Sequence, residues 1–123
     1  MEQRDDNRRH YRRSSHFHCD ATVSADGTHF VAAVIEDLSS GGLQFRAAGG
    51  CTAGQELSFR LHIHGFLFDF AIKVRGVIRR ADDRQDFSLY GVKFLDMPHD
   101  AAIRIDEGIR RDRLVSGMAY END

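Results

Sequence analysis

An all-β fold, a six-stranded antiparallel β-barrel with a C-terminal α-helix, is what this 123-residue sequence predicts. Three observations predict it. Apolar residues recur at every second position in several short stretches, which marks strands with one buried face. Gly, Asp and Ser cluster between those stretches at hairpin-like intervals. Helical spacing emerges only after Asp96. Short strands joined by hairpins leave sheet edges exposed, and closing the sheet into a barrel removes them, with the helix placed to plug one end.

Residues 1–15 show no hydrophobic periodicity and read as an exposed, flexible arm carrying Arg4, Arg8, Arg9, Arg12 and Arg13. From residue 16, Phe17, Cys19, Ala21 and Val23 alternate with His16, His18, Asp20, Thr22 and Ser24. Ala25-Asp26-Gly27-Thr28 supplies Asp-Gly, a strong hairpin signal. Residues 29–36 form a second strand, apolar enough to be buried on both faces. Asp37-Leu38-Ser39-Ser40-Gly41-Gly42 reads as a turn into a short third strand at 43–46.

After a Gly/Ala-rich loop at 47–54, Leu57, Phe59, Leu61 and Ile63 face one way, and Ser58, Arg60, His62 and His64 the other. The longest strand, 66–80, points Phe66, Phe68, Phe70, Ile72, Val74 and Ile78 inward and Asp69, Lys73, Arg75 and Arg79 outward. Gly76 is placed to let it bend. Residues 81–86 read as a charged hairpin loop, and 87–95 as the last strand, with Tyr90, Val92 and Phe94 inward. Asp96-Met97-Pro98-His99 opens a helix, with an acid at the N-cap and Pro in the first turn. Ala102, Ile105 and Ile109 follow at helical spacing, Arg110, Arg111 and Arg113 suit the dipole's negative end, and Gly108 weakens the pattern. The barrel with its closing helix is expected over 16–115, and 116–123 as a frayed tail.

Length and composition narrow the function. The chain supports one modest core. A net charge of −2 excludes a general polyanion binder, which would be basic overall, so the positive charge is local to the arm. Cys19 and Cys51 stand far apart without CxxC spacing, which gives no disulfide framework and no zinc knuckle. The polar N-terminus lacks the apolar core of a signal peptide, and the most apolar run, 66–72, is far short of a membrane span. A cytoplasmic protein without membrane insertion is expected.

Catalytic motifs are missing: no GxSxG, HExxH or GxxxxGK occurs, and Asp82, Asp83 and Asp86 read as solvated loop charge. No enzyme is expected. Two HxH pairs, His16/His18 and His62/His64, would make a metal site only on adjacent strands at matching height. All four fall on the outward register, where histidine is ordinary, so no metal is expected. Cys19 reads as a small core residue.

The arm and the 37–42 turn remain. Alone, the first is a solvated tail and the second an ordinary strand connection. Together, RxxxR from Arg9 to Arg13, preceded by Arg8, and DxSxxG from Asp37 to Gly42 closely resemble the PilZ domain, a bacterial family of cyclic di-GMP receptors. The resemblance covers nearly the whole chain, including the Tyr90-Gly91-Val92-Lys93-Phe94 strand and the closing helix. It implies that Arg8, Arg9, Arg13, Asp37, Ser39 and Gly42 bind cyclic di-GMP, the one ligand expected, with no other cofactor. Guanidinium groups fork onto phosphate oxygens and onto guanine O6 and N7, and also stack on purines. A carboxylate such as Asp37 accepts from the guanine N1–H and amine, Ser39 adds a hydroxyl, and Gly42 lets the ligand approach.

In this family an Arg at the Arg8 position goes with an intercalated ligand dimer, so a dimer is expected here. Arg79 is a candidate for a further stack on the rim, where some members carry an aromatic and this chain has no Trp. Ligand binding is expected to order the arm and create a surface for a downstream protein partner. Motility, exopolysaccharide production and pilus biogenesis are the family's outputs, and the residues select none of them. The alternative is a PilZ-like adaptor that binds protein and no nucleotide, for which the six site residues would be expected to degenerate. A barrel that binds single-stranded nucleic acid fits less well, because most Phe residues fall on the inward register and leave few stacking platforms.

Overall fold

The computed structural model describes residues 18–65 and 68–121. Six antiparallel strands, β1 (His18–Ser24), β2 (Val31–Ser39), β3 (Gly42–Ala47), β4 (Glu56–Gly65), β5 (Phe68–Asp83) and β6 (Ser88–Phe94), precede α1 (His99–Glu121). The strands close into a barrel in the order β1-β2-β3-β6-β5-β4. This is the architecture that the alternation predicts.

Alternation along each strand fills the interior. Leu57, Phe59, Leu61 and Ile63 of β4 are buried, as are Tyr90, Val92 and Phe94 of β6. Phe45 sits at the centre, edge-on to Phe59 at 5.6 Å between ring centroids and tilted against Tyr90 at 5.2 Å. Full burial of such side chains is worth about 1.5–3 kcal/mol each. Tyr90 also carries a hydroxyl into this core, where it accepts from the Cys51 backbone N–H at 3.3 Å. That bond ties the glycine-rich loop to the barrel, helped by Gly54 N–H donating to the Ile78 carbonyl at 2.7 Å.

The helix docks through Ala101, Ile105, Gly108 and Ile109, and Ile105 and Ile109 join the barrel core. Ala101, rather than Ala102, begins the buried stripe, and Gly108 lies in the docked face, where a small residue allows close approach. α1 continues past residue 115 to Glu121. Its first intrahelical bond runs from Ala102 N–H to the Pro98 carbonyl at 3.0 Å. Asp96 is therefore not the cap that the sequence suggests. Its carboxylate instead accepts from Arg75 N–H at 2.7 Å and pairs with that guanidinium.

Two further local expectations change. The second strand is not buried on both faces: Val31 is 63% exposed and Val34 36%, while Ala33 and Ile35 face the core. Residues 81–83, expected in a loop, extend β5 opposite β6. Their charges are met locally, with Ser88 Oγ donating to Asp83 at 2.6 Å and Arg84 pairing with Asp82 at 2.9 Å. Gly76 also has a packing reason: a Cβ there would meet Val92 Cγ1 at 2.5 Å and the Lys93 carbonyl oxygen at 3.1 Å, while the register shift of β5 falls between Ile78 and Arg80.

The β1–β2 hairpin follows its Asp-Gly signal. Gly27 takes φ +82°, and Asp26 accepts from the N–H groups of Thr28 and His29 and from Ser24 Oγ. These bonds, led by the His29 N–H, hold the Asp26 carboxyl well below the usual carboxylate range. Cys19 packs against the core as a thiol, its pKa pushed up to about 12 by burial and by the neighbouring Asp20 charge. Among the described residues, no helix is long and apolar enough to cross a membrane.

Candidate functional site

The candidate site grows out of one irregularity in β2. Ile35 pairs with Phe45, but Asp37, not Glu36, pairs with Gln44, so Glu36 is the extra residue of a β-bulge. Residues directly opposite each other in an antiparallel pair share a face. Beyond the bulge, Leu38 turns into the core with Leu43, while Asp37 and Ser39 turn outward. The 37–42 stretch is thus mostly strand: Asp37, Leu38 and Ser39 belong to β2, Gly42 opens β3, and only Ser40 and Gly41 form the turn.

Two outward rows cross the barrel from here. Asp37, Gln44, Gly91 and Arg80 follow one another across β2, β3, β6 and β5. Three strand spacings make this row roughly 14 Å wide. Ser39, Gly42, Lys93 and Val77 form the next row. The structure therefore brings Asp37, Ser39 and Gly42 together on one face, each half-buried. Arg8, Arg9 and Arg13 lie outside the described residues.

Gly42 has a steric reason of its own. A Cβ at this position would land on the backbone carbonyl oxygen of Val92 in β6, an atom that has no rotamer with which to yield. The turn is held from three sides. Ser39 Oγ accepts from Gly41 N–H at 3.3 Å and donates to the Gly42 carbonyl at 3.4 Å, while Phe94 N–H donates to the Gly41 carbonyl at 2.9 Å. Ser39 is thus oriented by the motif's own backbone.

The sequence pattern misses Gln44, Gly91, Arg80 and Lys93, which complete the face. Arg79, singled out as a rim cation, is the extra residue of the β5 bulge, and Arg80 takes the place opposite Gly91. The Arg80 guanidinium lies over that glycine: a Cβ on Gly91 would sit 3.6 Å from Arg80 Nη2 and 3.8 Å from Nε. Arg80 and Lys93 are exposed and form no ion pair among the described residues. Arg46, at the border of the face, is engaged with Glu36 at 3.2 Å and with the Phe87 ring at 5.1 Å. The face thus offers an acid, a hydroxyl, an amide and two cations around a floor opened by glycines. That set suits a ligand bearing both anionic groups and hydrogen-bonding edges.

Known proteins share this fold. The PilZ domain family model matches residues 6–111. Among solved structures, the chain is similar to MrkH of K. pneumonia in its complex with c-di-GMP, with a TM-score of 0.65 and 12% identity over 90% of this chain and 53% of that one. It is similar to the Bacillus subtilis inhibitor of motility MotI/DgrA, with a TM-score of 0.62 and 17% identity over 82% of this chain and 51% of that one. Borreliella burgdorferi PlzA, also in complex with c-di-GMP, aligns with a TM-score of 0.56 and 13% identity over 93% of this chain and 52% of that one. The chain spans about half the length of these three proteins. No curated protein sequence matches it. With the family model covering most of its length, both motifs in order and the closed barrel in place, this chain belongs to the PilZ domain family.

Proposed function

We propose that the chain is a cyclic di-GMP receptor that binds its ligand on the outer face of β2, β3 and β6 and passes the signal to a partner protein without catalysis. The observation that carries this reading is the bulge at Glu36, which turns Asp37 and Ser39 outward beside Gly42 and within the same rows as Arg80 and Lys93. In this reading Asp37 accepts from a guanine Watson–Crick edge and Ser39 bonds base or phosphate. Arg9 and Arg13 supply the phosphate and Hoogsteen contacts of the RxxxR motif. Arg8 stacks within an intercalated ligand dimer, and the arm becomes ordered as it closes over the ligand, making the partner's docking surface. The two relatives whose structures contain c-di-GMP lend support at the level of the fold.

Isothermal titration with cyclic di-GMP, alongside GTP and a short single-stranded oligonucleotide, tests the reading. Heat is expected with cyclic di-GMP alone, at two ligands per chain. Deleting residues 1–13 should remove that heat while leaving the thermal melt of the barrel nearly unchanged. Retained binding after the deletion would overturn the role of the arm. A flat titration of the full chain would favour an adaptor that binds protein only.

A further inference from the structure

A second cluster of polar side chains lies on the opposite half of the barrel, across β1, β4 and β5. The register aligns His18, His64 and Asp69 in one outward row and Asp20, His62 and Ala71 in the next. His18 of the first HxH pair thus lies beside His64 of the second, while His16 lies outside the described residues. The His62 and His64 rings lie 4.0 Å apart between centroids, tilted by 38°. His62 Nε2 is 2.6 Å from an Asp69 carboxylate oxygen, and His64 Nε2 is 2.9 Å from one of Asp20. One ligand atom from each of His62, His64 and Asp69 falls within 4.8 Å of the others.

Each ring aims its Nε2 at a carboxylate, and the two tilted rings with Asp69 bring two nitrogen donors and one oxygen donor within 4.8 Å of one another. A divalent cation bound through both imidazole nitrogens and the Asp69 carboxylate would find a three-donor set already gathered, with the fourth position open to water. Tetrahedral coordination at about 2.0–2.1 Å places donors roughly 3.3 Å apart. Binding would therefore draw the three donors together from their present spacing of up to 4.8 Å. Imidazole nitrogens favour zinc-class transition metals over Mg²⁺ and Ca²⁺, which prefer an all-oxygen shell.

We propose that His62, His64 and Asp69 form a surface site for one divalent transition metal of the zinc class on β4 and β5, with Asp20 of β1 beside His64. The site does not depend on the nucleotide reading, because it uses none of the residues of that face.

The test is a calorimetric titration of the untagged full chain, stripped with chelator, with ZnCl₂ and in parallel with MgCl₂ and CaCl₂. One equivalent of Zn²⁺ is expected to bind. The His62→Ala/His64→Ala variant should lose at least about tenfold in affinity, since even loss of an outer-shell partner costs that much. Asp69→Asn should weaken binding in the same direction, and His29→Ala, which breaks the separate His29–Asp26 pair, should leave it unchanged. NMR resonances of the His62 and His64 rings should shift together at one equivalent, a readout that holds even if the double variant fails to fold. Absence of Zn²⁺ binding, equal binding of Mg²⁺, or Zn²⁺ affinity indifferent to both variants would overturn the proposal.

Discussion

On the β2-β3-β6 side of the barrel, an acid and a base share one outward row but stand at its two ends. Asp37 and Arg80 have only Gln44 and bare Gly91 between them. On the β1-β4-β5 side, acids and imidazoles occupy neighbouring positions and touch: His62 with Asp69, and His64 with Asp20. Both faces use alternation along twisted strands to present polar groups. What differs is how the cationic groups are engaged. On the second side both imidazoles lie against carboxylates, whereas Arg80 and Lys93 form no ion pair among the described residues and keep their electrostatic potential for an incoming anion.

Substitutions that break one face and spare the other sharpen this contrast. The largest effect is expected for Asp37→Ala, which should weaken cyclic di-GMP on the order of a hundredfold in calorimetry, as when one partner of a desolvated charged pair is lost. The same variant should leave the barrel's circular dichroism unchanged. Next comes Gly42→Ala. Its methyl group must displace the β6 backbone, so thermal or urea unfolding should show a loss of about 1–3 kcal/mol. Gly91→Ala, on the same face but with only ordinary contacts to Arg80, should unfold like the parent. If both glycines behaved alike, the steric account of Gly42 would fail. Arg80→Ala should cost about tenfold in ligand affinity, the scale of one charge-assisted hydrogen bond, and should flatten the salt dependence of binding.

The smallest effect concerns the hairpin between β1 and β2. Asp26 has a folded pKa below its ordinary 3.8, so its bonds to His29, Thr28 and Ser24 contribute stability above that value. The contribution fades as pH falls below about 4 towards the folded pKa. An Asp26→Ala chain should melt earlier than the parent at neutral pH, and the gap should narrow progressively in acid.

Much of this molecule can be read from residue order. The inward sets of β4 and β6 follow directly from period-two alternation, because each strand buries one face against a common core. Asp37, Ser39 and Gly42 are visible as a motif. Their partners across the sheet are not, because alternation says which way a side chain points and nothing about which residue lies beside it. Gln44, Gly91 and Arg80 join the site through register alone. The bulges at Glu36 and Arg79 are also silent in the pattern, since each extra residue is a charged one beside another charged residue. The same bulge in β5 explains why Arg79 looks like the rim cation and Arg80 occupies the row. His62 and His64 look like ordinary surface histidines until the register sets Asp69 and Asp20 against them.

The Glu36 bulge has a consequence for chain length. Side chains on a strand alternate in and out, and the bulge absorbs one surplus residue without upsetting that alternation. Ile35–Phe45 and Asp37–Gln44 are successive pairs, so a chain lacking Glu36 would still turn Ile35 and Leu38 inward and Asp37 and Ser39 outward. A chain that kept Glu36 but paired it with Gln44 as a regular strand would instead send Asp37 and Ser39 towards the core and Leu38 towards water. The letters of the motif thus set the face only together with the bulge, and a relative with one residue fewer ahead of its Asp can present the same face from a flat strand.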